Sequence, residues 1–208
     1  MSRFVHVHSV WIQDVSYALT ALCTMGPLSS FVRYAQTMSA KSAISLEQYL
    51  HTTFPDLDRE YRDGEIVERS LPDYLHGRVQ AALVAFFWAL RSELALFPCV
   101  ETRMRLRSNL ILIPDVAVFY PTEPSRVPDA PPLLVAEVLS LDDRLTAVRE
   151  KLEEYKAWGV PHVWLVDPHG KRLYICDKGL MEVTSLQVPE LGIELLPGRL
   201  FDSFIPSA

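Results

Sequence analysis

The stretch "LLVAEVLSLDDRLTAVREKLEEYKAWGVPHVWLVD", Leu133–Asp167, changes pattern twice. "LLVAEVLS" is almost wholly apolar, as expected of an interior strand covered on both faces. "RLTAVREKLEEYKAW" sets Leu145, Val148, Leu152 and Tyr155 at three- and four-residue spacing, which predicts an amphipathic helix ended by Gly159. Asp142 or Asp143 is the expected cap of that helix. "PHVWLVD" is a second apolar strand, leading into a turn at Asp167–Gly170 that Asp167 is expected to shape. Strand, helix and strand in this order, among further strands and helices, predict an α/β (α+β) fold with a central mixed sheet flanked by helices.

One residue in the first strand does not belong to an apolar run. Glu137 stands among aliphatic neighbours, and so does Asp115 in the preceding strand-like segment "ILIPDVAVFY". Unpaired charge is costly to bury, so something must compensate these two carboxylates. Side by side they would repel and tend to stay protonated, whereas a divalent cation between them makes both anionic. With no His/Cys cluster at ligand spacing, aspartate and glutamate oxygens favour Mg²⁺ or Mn²⁺ over Zn²⁺. Such an ion polarises a phosphodiester and lowers the pKa of a bound water.

Working outward, "ISLEQYL" reads as a short helix with Ser45 as N-cap. "REYRDGEIVERS" is a hairpin turning at Asp63-Gly64; its flanking Glu60 and Glu65 are candidates for a further metal ligand, although charged hairpin residues are usually solvated. "PDYLHGRVQAALVAFFWALRSEL" is a long helix with Leu75, Val79, Leu83, Phe86, Phe87 and Leu90 on its apolar face and Asp73 near its start. His76 lies one turn before Gln80 and is a candidate to face the two carboxylates. "VETRMRLR" alternates as one strand, with Glu101, Arg103, Arg105 and Arg107 on one face. The arginine row suits phosphate binding, and equally a strand edge protected by charge.

The 208 residues suit one domain with or without an appendage, and a formal charge of −6 argues against non-specific coating of nucleic acid or anionic membrane. A local basic groove is still compatible with that balance. Cys23, Cys99 and Cys176 form neither a disulfide framework nor a zinc spacing, so a reducing cytoplasm is expected. Residues 1–37 hold only Arg3, Asp14 and Arg33 as formal charges. The uncharged Val15–Val32 mimics a signal peptide or a marginal membrane helix, although its Ser, Thr, Gly and Pro fit both poorly. Met38 as the natural start is the third reading. The expectation is an extension over residues 1–37, outside a core domain of 38–208, with no membrane attachment.

From about Ile44 to Phe201 the chain resembles the "putative restriction endonuclease" family of the PD-(D/E)XK nuclease superfamily. The likeness is carried by "FPDLDREYRDGEIVER", by His76 opening the long helix, and by "IPDVAVF", "PPLLVAEVLSLDDR", "KLEEY" and "GVPHVWLVDP" in that order. It implies a restriction endonuclease-like fold and Mg²⁺-dependent hydrolysis of DNA, with a homodimer as a candidate assembly. The superfamily motif maps onto Pro114-Asp115 and Glu137, with a lysine implied two residues after the glutamate. Leu139 stands there instead. Lys151 borders the apolar stripe of the following helix, from which a long side chain can send its ammonium back to the strand ends. The resemblance implies the same migration. Asp115 and Glu137 would then hold the metal, Lys151 would stabilise the transition state, and His76 would assist. The competing reading is a catalytically silent module that kept the fold and binds nucleic acid or protein.

Overall fold

The computed structural model describes residues 44–55 and 58–202; the expected extension over residues 1–37 lies outside them. The chain opens with α1 (Leu46–Leu50), the hairpin β1 (Glu60–Arg62) and β2 (Glu65–Val67), and the long helix α2 (Tyr74–Leu94). Next come β3 (Phe97–Val100), β4 (Met104–Arg107), β5 (Leu110–Leu112), β6 (Val116–Phe119) and β7 (Leu134–Val138). Helix α3 (Leu145–Trp158) leads to β8 (His162–Asp167), β9 (Arg172–Cys176), β10 (Leu180–Val183), β11 (Leu186–Val188), β12 (Ile193–Leu195) and the short α4 (Gly198–Phe201).

Local chemistry sets the boundaries. Ser45 and Gln48 form a reciprocal capping box at α1. Asp63 and Gly64 both have positive φ, as a two-residue hairpin turn requires. The Asp73 carboxylate accepts the His76 N–H at 2.9 Å and so starts α2. Gly159, at φ +104°, ends α3. Asp167 Oδ1 accepts from the N–H groups of His169 and Gly170, which closes the expected turn between β8 and β9.

Among the described residues a six-stranded sheet runs β10-β9-β8-β7-β6-β3, and a four-stranded one runs β2-β1-β5-β4. Only the β7–β8 pair of the larger sheet is parallel, joined through α3, so the sheet is mixed as expected. Strand alternation divides the core. Val116, Val118, Leu134, Ala136, Val138, Trp164 and Val166 pack with Val79, Leu83 and Phe87 of α2. Ala117, Phe119, Val135, Val163 and Leu165 pack with Leu152 and Tyr155 of α3 and with Met104, Leu106, Leu110 and Leu112 of the smaller sheet. Val135 and Glu137 share a face by alternation, which turns Glu137 toward α3.

Three local expectations are corrected. "VETRMRLR" is not one strand: β3 ends at Val100, Glu101 takes a left-handed φ of +48°, and β4 starts at Met104 in the other sheet. A register shift between Arg105 and Arg107 further breaks the even alternation. Neither Asp142 nor Asp143 caps α3; the cap position is Arg144 with no side-chain bond, and the Asp143 carboxylate instead accepts the Ser140 N–H at 2.8 Å. Leu145, expected on the apolar stripe, is 57% exposed, because α3 meets the sheet only from Val148 onward.

Candidate active site

Asp115 immediately precedes β6. Continuing the β6–β7 register, in which Val116 faces Ala136, by one residue sets Asp115 opposite Glu137. Both are buried, at 3% and 7% exposed, and both line one pocket of about 420 Å³. His76, Lys151 and Leu139 line the same pocket, so the expected site residues do converge, apart from the arginine row.

Lys151 reaches Glu137 from the helix. Its Nζ lies 3.0 Å from Glu137 Oε1 and 3.1 Å from Oε2, and it donates to the Ile113 carbonyl at 2.9 Å. Glu60 Oε1 lies 2.8 Å from the same ammonium. Leu139, at the position where a lysine was implied and one residue past the end of β7, packs against the α3-side core. The ammonium therefore arrives at the carboxylate from the second turn of α3, 14 positions further along the chain.

Four residues join this site that the sequence reading passed over or gave another part. Glu60 is 4% exposed, not solvated, and links Lys151 to the Ile113 N–H and to Arg62. Tyr155, expected to be plain core, donates its hydroxyl to Glu137 Oε1 at 2.9 Å. Arg69 sets Nη2 2.8 Å from Asp115 Oδ1. Gln80 donates to the Asp115 carbonyl at 2.9 Å. Of these, Gln80 and Tyr155 carry a sequence signal: Gln80 follows His76 by one turn, and Tyr155 follows Lys151 by one turn, so each pair shares a helix face.

His76 bridges two groups. Its Nδ1 lies 3.1 Å from Ser140 Oγ and its Nε2 3.4 Å from Asp115 Oδ1. The other Asp115 oxygen accepts the Val138 N–H at 2.7 Å.

The electrostatics follow from burial and partners. Burial pushes Glu137 up to about 7; Lys151 opposes that, and the nearby Asp115 adds to it. Asp115 and Glu60 are buried too, yet both are held below the usual carboxylate range, Asp115 mainly by His76 and Lys151 and Glu60 mainly by Lys151. Burial would lower Lys151, but Glu137, Glu60 and Asp115 outweigh it and keep the ammonium charged. For His76, too, the Asp115 carboxylate overrides burial and raises the imidazole above its ordinary value. The site is a mutually neutralised cluster in which Glu137 is the least completely compensated acid.

The arginine row lies elsewhere. Arg103 pairs with Asp58 at 2.6 Å and lies over the Tyr49 ring, Arg105 pairs with Asp129 at 2.8 Å, and Arg107 pairs with Glu154 at 2.5 Å. None of the three lines the pocket.

Residues 46–203 match the model of the family described as "Putative restriction endonuclease" (Uma2). The chain belongs to this family. It is also similar in fold to a crystal structure described as "a putative nuclease belonging to DUF820" from Anabaena variabilis ATCC 29413. That likeness has a TM-score of 0.66 at 20% identity, covering 76% of this chain and 97% of that one. No curated protein matches the chain. The family supports a nuclease role, and the structural likeness shows the fold. Among the described residues no helix is long and apolar enough to cross a membrane.

Proposed function

We propose that this chain is a divalent-metal-dependent endonuclease that hydrolyses DNA phosphodiester bonds, a member of the PD-(D/E)XK superfamily with a displaced lysine. The observation that carries the reading is the Lys151 ammonium, buried against Glu137 although the position implied for a lysine holds Leu139.

The donor set fits a hard cation. Asp115 and Glu137 offer carboxylate oxygens on one pocket wall, which suits Mg²⁺ or Mn²⁺. Among the described residues no three His, Cys, Asp or Glu side chains form a ready cage. Mg²⁺ commonly uses one or two carboxylates with waters and substrate phosphates. Held there, the ion would polarise the phosphodiester and acidify a bound water.

The chain's own residues do the rest. In hydrolysis the water oxygen bonds to phosphorus, one P–O ester bond breaks, and the leaving oxygen takes up a proton. Lys151, fixed by Ile113, Glu137 and Glu60, presents a permanent charge where negative charge develops on the phosphoryl oxygens. Tyr155 orients Glu137 through its hydroxyl. His76 and the Val138 N–H hold the Asp115 carboxylate in one orientation.

Plasmid nicking with Mg²⁺ or Mn²⁺ tests this, with Asp115→Ala as control. Nicking by the wild type that is lost in Asp115→Ala supports it. Absent nicking by a folded, metal-binding protein would leave the silent binding module as the function, and nicking without metal would overturn the metal's role.

A further inference from the structure

The two oxygens of Asp115 are not equivalent. Oδ2 accepts the buried Val138 N–H at 2.7 Å, a bond from strand backbone that is lost only by opening the end of the sheet. Oδ1 is the oxygen contacted by side chains of the pocket: Arg69 Nη2 at 2.8 Å and His76 Nε2 at 3.4 Å. Oδ1 is therefore the Asp115 oxygen turned to the pocket side chains, and a cation approaching it from there meets a guanidinium already in place.

Arg69 and Lys151 differ in how they are held. Lys151 keeps the Ile113 carbonyl and Glu60 whatever happens at Glu137. Arg69 has Asp115 as its close carboxylate partner, and Glu101 follows at 3.8 Å from Nη1. The Glu101 side chain is 38% exposed and also lines the pocket, so it offers a second resting place for the guanidinium. Glu101 is brought there by its left-handed φ, the same feature that ends β3.

Building on the metal-site reading above, we propose that Arg69 is the resident counter-cation of that site. A divalent ion exchanges with it at Asp115 Oδ1, and Arg69 thereby sets the affinity for metal. Two cations at one oxygen of a carboxylate that is only 4% exposed repel strongly, so the ion displaces the guanidinium toward Glu101. Without metal, Arg69 keeps the acidic wall neutral and the fold intact; with metal, it lowers the net gain from binding. It is a specificity-determining residue, one that rejects weakly binding cations.

Calorimetric titration of Mn²⁺ into wild type, Arg69→Met and Asp115→Asn tests the exchange. Arg69→Met is expected to bind Mn²⁺ about tenfold tighter or more, by removal of a like charge beside the ion. In thermal melts it should start lower than wild type without metal and gain more from saturating Mn²⁺. Asp115→Asn should lose affinity at least about tenfold, as a ligand charge is removed. If Arg69→Met binds no tighter while Asp115→Asn loses the metal, the site stands and the exchange is wrong. If Asp115→Asn binds like wild type, the metal is elsewhere and both readings fall. Should Arg69→Met not fold, Arg69→Gln keeps a hydrogen-bond donor without the charge, and the same tightening is required of it.

Discussion

Two regions of this chain pair cations with carboxylates in opposite surroundings. In the pocket, the side chains of Lys151, Glu137, Glu60, Arg69 and Asp115 are between 4% and 14% exposed. Along β4, Arg105 and Asp129 are 41% and 59% exposed, and Arg107 and Glu154 48% and 26%. The shortest distance, 2.5 Å between Arg107 and Glu154, belongs to the outer set. Yet an exposed pair is screened and restricts two long side chains, whereas a buried one cannot lose a partner without stranding a charge. Distance says little about which set matters; solvent access decides it.

The sharpest break of that contrast is Lys151→Ala. Nicking should fall about 10²–10³-fold, the usual loss when a positioned electrostatic stabiliser is removed. Glu137 and Glu60 are then left facing each other, and urea unfolding should show a loss of about 3–5 kcal/mol, as for other buried pairs broken on one side. Cleavage at the wild-type rate would mean that another residue supplies the charge.

Next is Tyr155→Phe, which removes one hydrogen bond to Glu137 and no apolar surface. A cost of about 1.5–3 kcal/mol is expected for a bond to a charged group, read by the same unfolding assay. The measurement belongs above about pH 8, where Glu137 is ionised despite its raised pKa, and a smaller loss there would show that Tyr155 does not hold the charged carboxylate.

The pH profile sharpens the comparison from another side. Glu137 titrates at about 7 in the folded chain, above its ordinary 4.5. The folded state therefore holds this proton more tightly than the unfolded state. Its stabilising contribution is complete below about 4.5 and is lost as pH rises to about 7. Metal-free wild type compared with Glu137→Gln by thermal melting should show that fall in the difference between them. A flat difference over that window would contradict the assigned environment.

The smallest effects belong to the outer row. Arg105→Ala and Arg107→Ala should each change stability by less than about 1 kcal/mol. Their binding to a DNA duplex should keep the salt dependence of the wild type, since a true phosphate contact would lower the slope by about one unit. A lowered slope would return the row to the nucleic-acid surface.

What was legible in the sequence follows from the same physics. The β7–α3–β8 unit was readable because uninterrupted apolar runs and a three-to-four-residue period leave few alternatives. Asp115 and Glu137 stood out as charges within such runs. Lys151 needed the family resemblance, since a lysine on an amphipathic helix is ordinarily solvated. Glu60 was hidden because a charge beside a hairpin turn gives no sign of what packs over it; burial comes from Lys151, 91 positions further on. Arg69 lies between β2 and α2, where no periodicity assigns a direction. The arginine row misled because alternation presumes a continuous strand, and the positive φ at Glu101 is a backbone property that a glutamate does not announce.

Tyr155 and Lys151, one helical turn apart, both grip Glu137. A helix fastened at a single point can still swivel about it; fastened on two successive turns it is keyed, like a shaft with a spline. Each residue of rotation would move both groups by about 100° and release them together. The rotational setting of α3 on the sheet is thus indexed by a carboxylate, so a well-formed site and a correctly seated helix are one condition.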